Sequence, residues 1–139
     1  MSGPGDVPEG ILARLRPICL GLPEAYEEPA WNGTRWRIRA RTFAHVVTIE
    51  PDRHPHLAEP AQAERAVCAM QFRAYGEEMA ALLGSGLPFY RPGWGVDVVG
   101  ILLGPRTDWA EVAELLTDSY TKLAPRKLAA LVSHPPAPV

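Results

Sequence analysis

Residues 35–51 read RWRIRARTFAHVVTIEP, and their alternation decides the fold class. Arg35, Arg37, Arg39 and Arg41 alternate with Trp36, Ile38 and Ala40. Successive side chains of a strand leave on opposite faces, so the arginines are expected to share one face and the apolar residues the other. Phe43, His45, Val47 and Ile49 then keep the same period, and Pro51 closes the run. The pattern predicts two strands with a tight connection between them.

Upstream, Ile11, Leu12, Leu15, Ile18 and Cys19 recur at helical spacing, with Arg14 and Arg16 opposite. This predicts an amphipathic helix over residues 9–20, kinked by Pro17 and stopped by Gly21 and Pro23. Downstream, Pro51, Pro55 and Pro60 predict a loop over residues 52–61. Residues 67–73 read as a third strand with Cys68, Met70 and Phe72 facing inward, and residues 76–83 as a short helix ended by Gly84. The nearly continuous apolar run 95–103 predicts a strand covered on both faces. Asp108 and Glu111 form a capping box that opens the next helix, with Trp109, Val112, Ala113, Leu115 and Leu116 on its core side. A last helical piece begins near Pro125. This order is no βαβ alternation. It predicts an α+β fold: a mainly antiparallel sheet of four to five strands, with an N-terminal helix, one mid-chain helix and C-terminal helices. Residues 9–132 are expected to form a single domain between flexible tails, 1–8 and 133–139, rich in proline.

The 139 residues carry 14 Lys and Arg against 16 Asp and Glu, a formal net charge of −2, which excludes wholesale coating of a polyanion. No apolar run approaches the roughly 20 residues of a membrane span, so no membrane partner is expected. The start, MSGPGDVPEG, lacks a secretion pattern, and Cys19 and Cys68 form no CxxC; both point to a reducing cytoplasm. Charge is unevenly placed. Residues 31–56 hold five basic and two acidic groups, and residues 119–139 hold three basic groups and no acidic ones. Four same-face arginines would span about 20 Å, suited to phosphates, with Lys122, Arg126 and Lys127 in support. The plainer reading is a solvated edge whose charges block sheet-to-sheet aggregation.

Catalytic patterns are not found. His54 and His56 match no strong metal-ligand spacing, and His45 reads as a hydrogen-bonded histidine at the core edge. Glu24, Glu27 and Glu28 lie in a proline-flanked turn, where solvation is expected. Gly84-Ser-Gly86 lacks the nucleophile elbow, and Pro92-Gly-Trp-Gly95 is too short for a phosphate loop. No cofactor and no metal is expected. Trp31, Tyr26 and Tyr90 fall in loops, free to stack on a base or a flat ligand.

Leu22-Pro-Glu-Ala-Tyr-Glu-Glu, Trp31, a strand pair ending at Phe43-Ala-His-Val, Gly93-Trp94, and the run from Trp109 to Ser119-Tyr120 together resemble the YjbR/MmcQ family of small bacterial proteins. The resemblance covers nearly the whole expected domain. It implies a compact α+β fold described as double-wing or CyaY-like, and a DNA-binding label that rests on fold analogy. It brings no catalytic residues, and it implies that Ser119-Tyr120 is structural, with the tyrosine packed and its hydroxyl bonded.

Two functions follow as expectations. The first is a non-enzymatic cytoplasmic module binding nucleic acid through Arg35, Arg37, Arg39, Arg41, Lys122, Arg126 and Lys127. The second is binding of a small molecule or protein partner in a cleft lined by Trp31, His54, His56, Tyr90 and Trp94.

Overall fold

Helical spacing of apolar residues builds α1 (Glu9–Leu20), which buries Leu12, Leu15 and Cys19 and carries Pro17 inside it. The structure is a computed structural model and describes residues 7–93 and 95–132. Of the expected tails 1–8 and 133–139, residues 1–6 and 133–139 lie outside the described residues, as does Trp94. Val7 packs against the core and the Pro8 carbonyl accepts the Ile11 and Leu12 amides, so the chain is already held there, before residue 9.

Strands β1 (Tyr26–Pro29), β2 (Thr34–Ile38), β3 (Arg41–Ile49), β4 (Val67–Arg73), β5 (Phe89–Tyr90) and β6 (Val98–Leu103) form one antiparallel sheet in the order β1-β2-β3-β4-β6-β5. The α+β class stands, but the sheet has six strands where four to five were expected. The two additions are the short edges, β1 with four residues and β5 with two, too brief to show a period. The expected loop 52–61 contains a helix, α2 (Pro55–Ala61). Pro55 occupies a first-turn position, where its missing N–H is no loss, so proline starts this helix rather than excluding it. The remaining helices are α3 (Gly76–Gly84), α4 (Trp109–Leu123) and α5 (Arg126–Ala129). Asp108 accepts the Ala110 and Glu111 amides and so caps α4 as its sequence predicts.

One face of the sheet is buried under α1 and α4, with Leu15, Trp36, Phe43, Val46, Met70, Leu116 and Tyr120 at its core. The other face carries a smaller cluster, in which Leu57, Ala58 and Ala61 of α2 pack on Val47, Ile49, Ala69 and Tyr90. Among the described residues, α2 is the helix that packs on this second face, which is otherwise open.

The alternation of β3 is broken. Trp36 pairs with Ala44 but Arg37 pairs with Thr42, so Phe43 is an extra, bulged residue. It therefore joins the helix-covered core, while His45, Val47 and Ile49 point the other way; the expected single face for all four is corrected by that bulge. Ser119 of α4 repairs the ladder beside it. Its hydroxyl donates to the Phe43 carbonyl at 2.6 Å and accepts the Arg73 amide at 2.8 Å. Tyr120 packs edge-on against Phe43, ring centroids 5.4 Å apart, and its hydroxyl donates to the Pro23 carbonyl. Both residues are thus structural, as the resemblance implied.

Candidate functional site

The open face is organised by register. Glu28 of β1 pairs with Arg35 of β2, Arg35 with His45 of β3, His45 with Gln71 of β4, Gln71 with Gly100 of β6, and Gly100 with Tyr90 of β5. Paired residues share a face, so one polar row crosses the whole sheet. Gly100 is required there: a Cβ would lie 2.4 Å from the Tyr90 ring, which fills that space and turns towards Gln71. Burial pushes the Tyr90 phenol up to about 12, with Gln71 pulling the other way.

Between α2 and the β1–β2 turn this row opens into a cavity of about 550 Å³. Arg35, Thr42, His45, Gln71 and Arg73 form its polar floor, Pro29, Ala30, Val47 and Leu57 its apolar walls, and Trp31 and His56 its rim. The turn that carries Trp31 is pinned to β3. The Asn32 side chain donates to the Thr48 carbonyl at 3.0 Å and accepts the Thr48 amide at 3.1 Å. Gly33, at φ +79°, lies so close to β3 that a Cβ would fall 1.8 Å from the Val46 carbonyl oxygen, so only glycine fits. The backbone is held, yet Trp31 is 73% exposed; its ring lies edge-to-face with His54, centroids 6.4 Å apart.

His45 donates Nε2–H to the Asn32 carbonyl at 2.7 Å, since a carbonyl can only accept. Burial pushes its pKa down, and the Arg35 charge adds to this against the Asn32 bond, so the ring is neutral at pH 7. Nδ1 then carries the lone pair. His54 is tied locally: its Nδ1 accepts the Glu50 amide at the start of α2. Among the described residues no three His, Cys, Asp or Glu side chains converge as a metal would require. Both thiols are buried and unpaired, and burial raises their pKa values, most strongly for Cys19, so neither is a ready nucleophile.

The expected row of four arginines is corrected. Strand β2 ends at Ile38; Arg39 is in the turn at φ +56°, and Arg41 opens β3 opposite Ile38, whose face is the helix-covered one. Only Arg35 and Arg37 share the open face, and both pair with Glu28, Arg37 at 3.2 Å. Burial works against the Glu28 charge, but the hydrogen bonds from Arg35 and Arg37 outweigh it and hold the carboxyl below its usual range. Arg39 pairs with Glu24 at 3.3 Å, and Lys122 with Glu78 at 3.1 Å. The glutamates read as a solvated turn are therefore partners of the arginines. Arg41, Arg126 and Lys127 are exposed, without an ion pair among the described residues. Lys122, Arg126 and Lys127 belong to the helix layer, across the sheet from Arg35.

The expected cleft is partly assembled: Trp31 and His56 line the cavity, His54 braces Trp31, and Tyr90 ends the polar row. Trp94 falls outside the described residues. Sequence reading missed Thr42, Gln71 and Arg73; the available signal was Gln71, a lone amide in the otherwise apolar run 67–72. No helix among the described residues is long and apolar enough to cross a membrane.

A sequence model of the YjbR family matches residues 20–122. The crystal structure of Deinococcus radiodurans protein DR2400, a DUF419 family-model domain, is similar in fold: TM-score 0.59 at 15% identity, over 89% of this chain and 88% of that one. No curated protein matches.

Proposed function

This chain belongs to the YjbR family, and from that premise we propose that it is a non-enzymatic binding module holding a small anionic ligand with a flat part in the open-face cavity. The observation that carries the reading is Arg73 on the floor of a cavity of about 550 Å³ beneath the exposed Trp31 indole. Small-molecule sites are commonly concavities of about 300–1,000 Å³, mostly apolar, with a few convergent polar groups. Arg73 has no carboxylate partner among the described residues; its Nε–H is spent on the Thr42 carbonyl at 3.3 Å, which aims the rest of the fork. Glu28 is shared by two guanidinium groups, so Arg35 and Arg37 keep an excess positive charge beside it. A cytoplasmic location is part of the proposal, supported by the two unpaired cysteines. So is the CyaY-like, double-wing description, supported by a sheet with one helix-covered face and one largely open.

Titration with phenyl phosphate, followed by tryptophan fluorescence, tests the proposal. The expected result is saturable quenching, weakened about 10- to 100-fold in Arg73→Gln, because a charge-assisted hydrogen bond contributes about 1.5–3 kcal/mol. Equal binding by the variant overturns the role of Arg73, and no response at millimolar ligand overturns the site.

Nucleic-acid binding is the second reading, favoured by Arg41, Arg126 and Lys127, which are exposed and have no ion pair among the described residues. Three phosphate contacts would give a slope of log K against log[salt] of about −2.7 on duplex DNA. The support is weaker than for the cavity, since Arg41 extends from the hairpin and the other two from the helix layer.

A further inference from the structure

The inference rests on the open-face cavity being the ligand site, and it names the anionic group that this site takes. Phosphate and carboxylate ask different things of a protein. A phosphate ester is close to doubly charged at neutral pH, and its oxygens are commonly met by backbone amides at a helix N-terminus or in a nest. A carboxylate is planar and singly charged, and one guanidinium can meet both of its oxygens at once.

The cavity floor is poor in backbone donors. Its side chains come from β2, β3 and β4, each of which has a strand on both sides, so their amides are spent on the ladders. Where the Phe43 bulge interrupts a ladder, Ser119 takes up the Arg73 amide from the other face. At the cavity wall, α2 has seven residues and begins with Pro55, which has no N–H. No lysine is among the described residues lining the cavity. Arg35 is engaged by Glu28, which leaves Arg73 as the lining guanidinium without a described carboxylate partner. With its Nε–H spent on the Thr42 carbonyl, Arg73 keeps its two-nitrogen edge for a ligand, and that edge matches the two oxygens of a carboxylate. Pro29, Ala30, Val47 and Leu57 make the walls apolar, where a doubly charged group loses far more hydration energy than a singly charged one.

We infer that the anion held in this cavity is a carboxylate carried on an aromatic ring, so that the ligand class is the aryl carboxylic acids rather than the aryl phosphates. The carboxylate takes the Arg73 edge, and the ring lies between the apolar walls and the Trp31 indole on the rim.

Calorimetric titration of the full chain tests this with two matched pairs, benzoate against phenyl phosphate and naphthoate against naphthyl phosphate, and with cyclohexanecarboxylate. All four aryl probes are expected to bind, and in each pair the carboxylate should bind at least about tenfold more tightly. Arg73→Lys keeps the charge and loses the fork, so it should shrink that margin to less than about threefold. A general disturbance of the fold would weaken both members of a pair together and leave the margin as it was. A margin unchanged in Arg73→Lys therefore overturns the clamp. Phosphate binding as tightly as carboxylate, or more tightly, in either pair overturns the inference and leaves the proposed anion site in place. Cyclohexanecarboxylate binding as well as benzoate overturns the aromatic part. Binding of none of these probes overturns the inference together with the proposed function.

Discussion

On the helix-covered face of the sheet, the ladder broken by the Phe43 bulge is closed by the Ser119 hydroxyl, which takes up one carbonyl and one amide. On the open face, Arg35 Nε, Arg37 Nε and the Tyr90 hydroxyl are buried with no hydrogen-bond partner. Buried polar groups are nearly always paired, and leaving one unmade costs about 1–3 kcal/mol. The same sheet thus satisfies its polar groups at the bulge and leaves Arg35 Nε, Arg37 Nε and the Tyr90 hydroxyl buried without a partner on the other face. That asymmetry, rather than net charge, sets the open face apart from the helix-covered one.

Tryptophan gives the largest contrast between the faces. Trp36 is 0% exposed in the helix-covered core, and Trp36→Ala should cost about 3–5 kcal/mol in urea unfolding. Trp31→Ala should change stability by less than about 0.5 kcal/mol while lowering affinity for aromatic anions. A large stability loss at Trp31 would place it in the core and break the comparison. Next, Ser119→Ala should cost about 1–3 kcal/mol, since it strands both the Phe43 carbonyl and the Arg73 amide. A change near zero would show that the bulge closes by itself.

How much of this was legible beforehand follows from what makes a pattern. Helix α1 and the α4 cap were readable because apolar spacing and Asp108 act locally. Strand β4 was readable because Cys68, Met70 and Phe72 keep their period. The bulge was not, since one inserted residue leaves composition unchanged while turning Phe43 to the opposite face. The arginine row failed for a related reason: it assumed an unbroken strand through Ala40, where a left-handed Arg39 makes the turn. Charge summed by segment also hid pairing at a distance, because Glu24 and Glu28 precede the arginines they neutralise. Trp31 and His56 were identified as ligand-lining residues, whereas Gln71 and Arg73 needed the cross-strand register to be seen beside them.

A smaller effect concerns pH. Burial lowers the pKa of His45 from 6.5, so the folded state resists protonation that the unfolded chain accepts. Its contribution is present above pH 6.5 and is lost as pH falls from there toward the folded value. The drop in urea midpoint between pH 7.5 and pH 5.5 should be reduced in His45→Gln. An undiminished drop would assign it to other groups. The smallest effect expected is on duplex DNA: replacing Arg41, Arg126 and Lys127 by glutamine should flatten any salt slope by about 2.7, and should leave aromatic-anion binding unchanged.

Amide chemical-shift mapping during titration with phenyl phosphate tests the central claim most directly. Perturbations gathered on Trp31, Arg35, His45, Gln71 and Arg73 are predicted. Shifts confined to Arg41, Arg126 and Lys127, or none at saturating ligand, would contradict an open-face binding site.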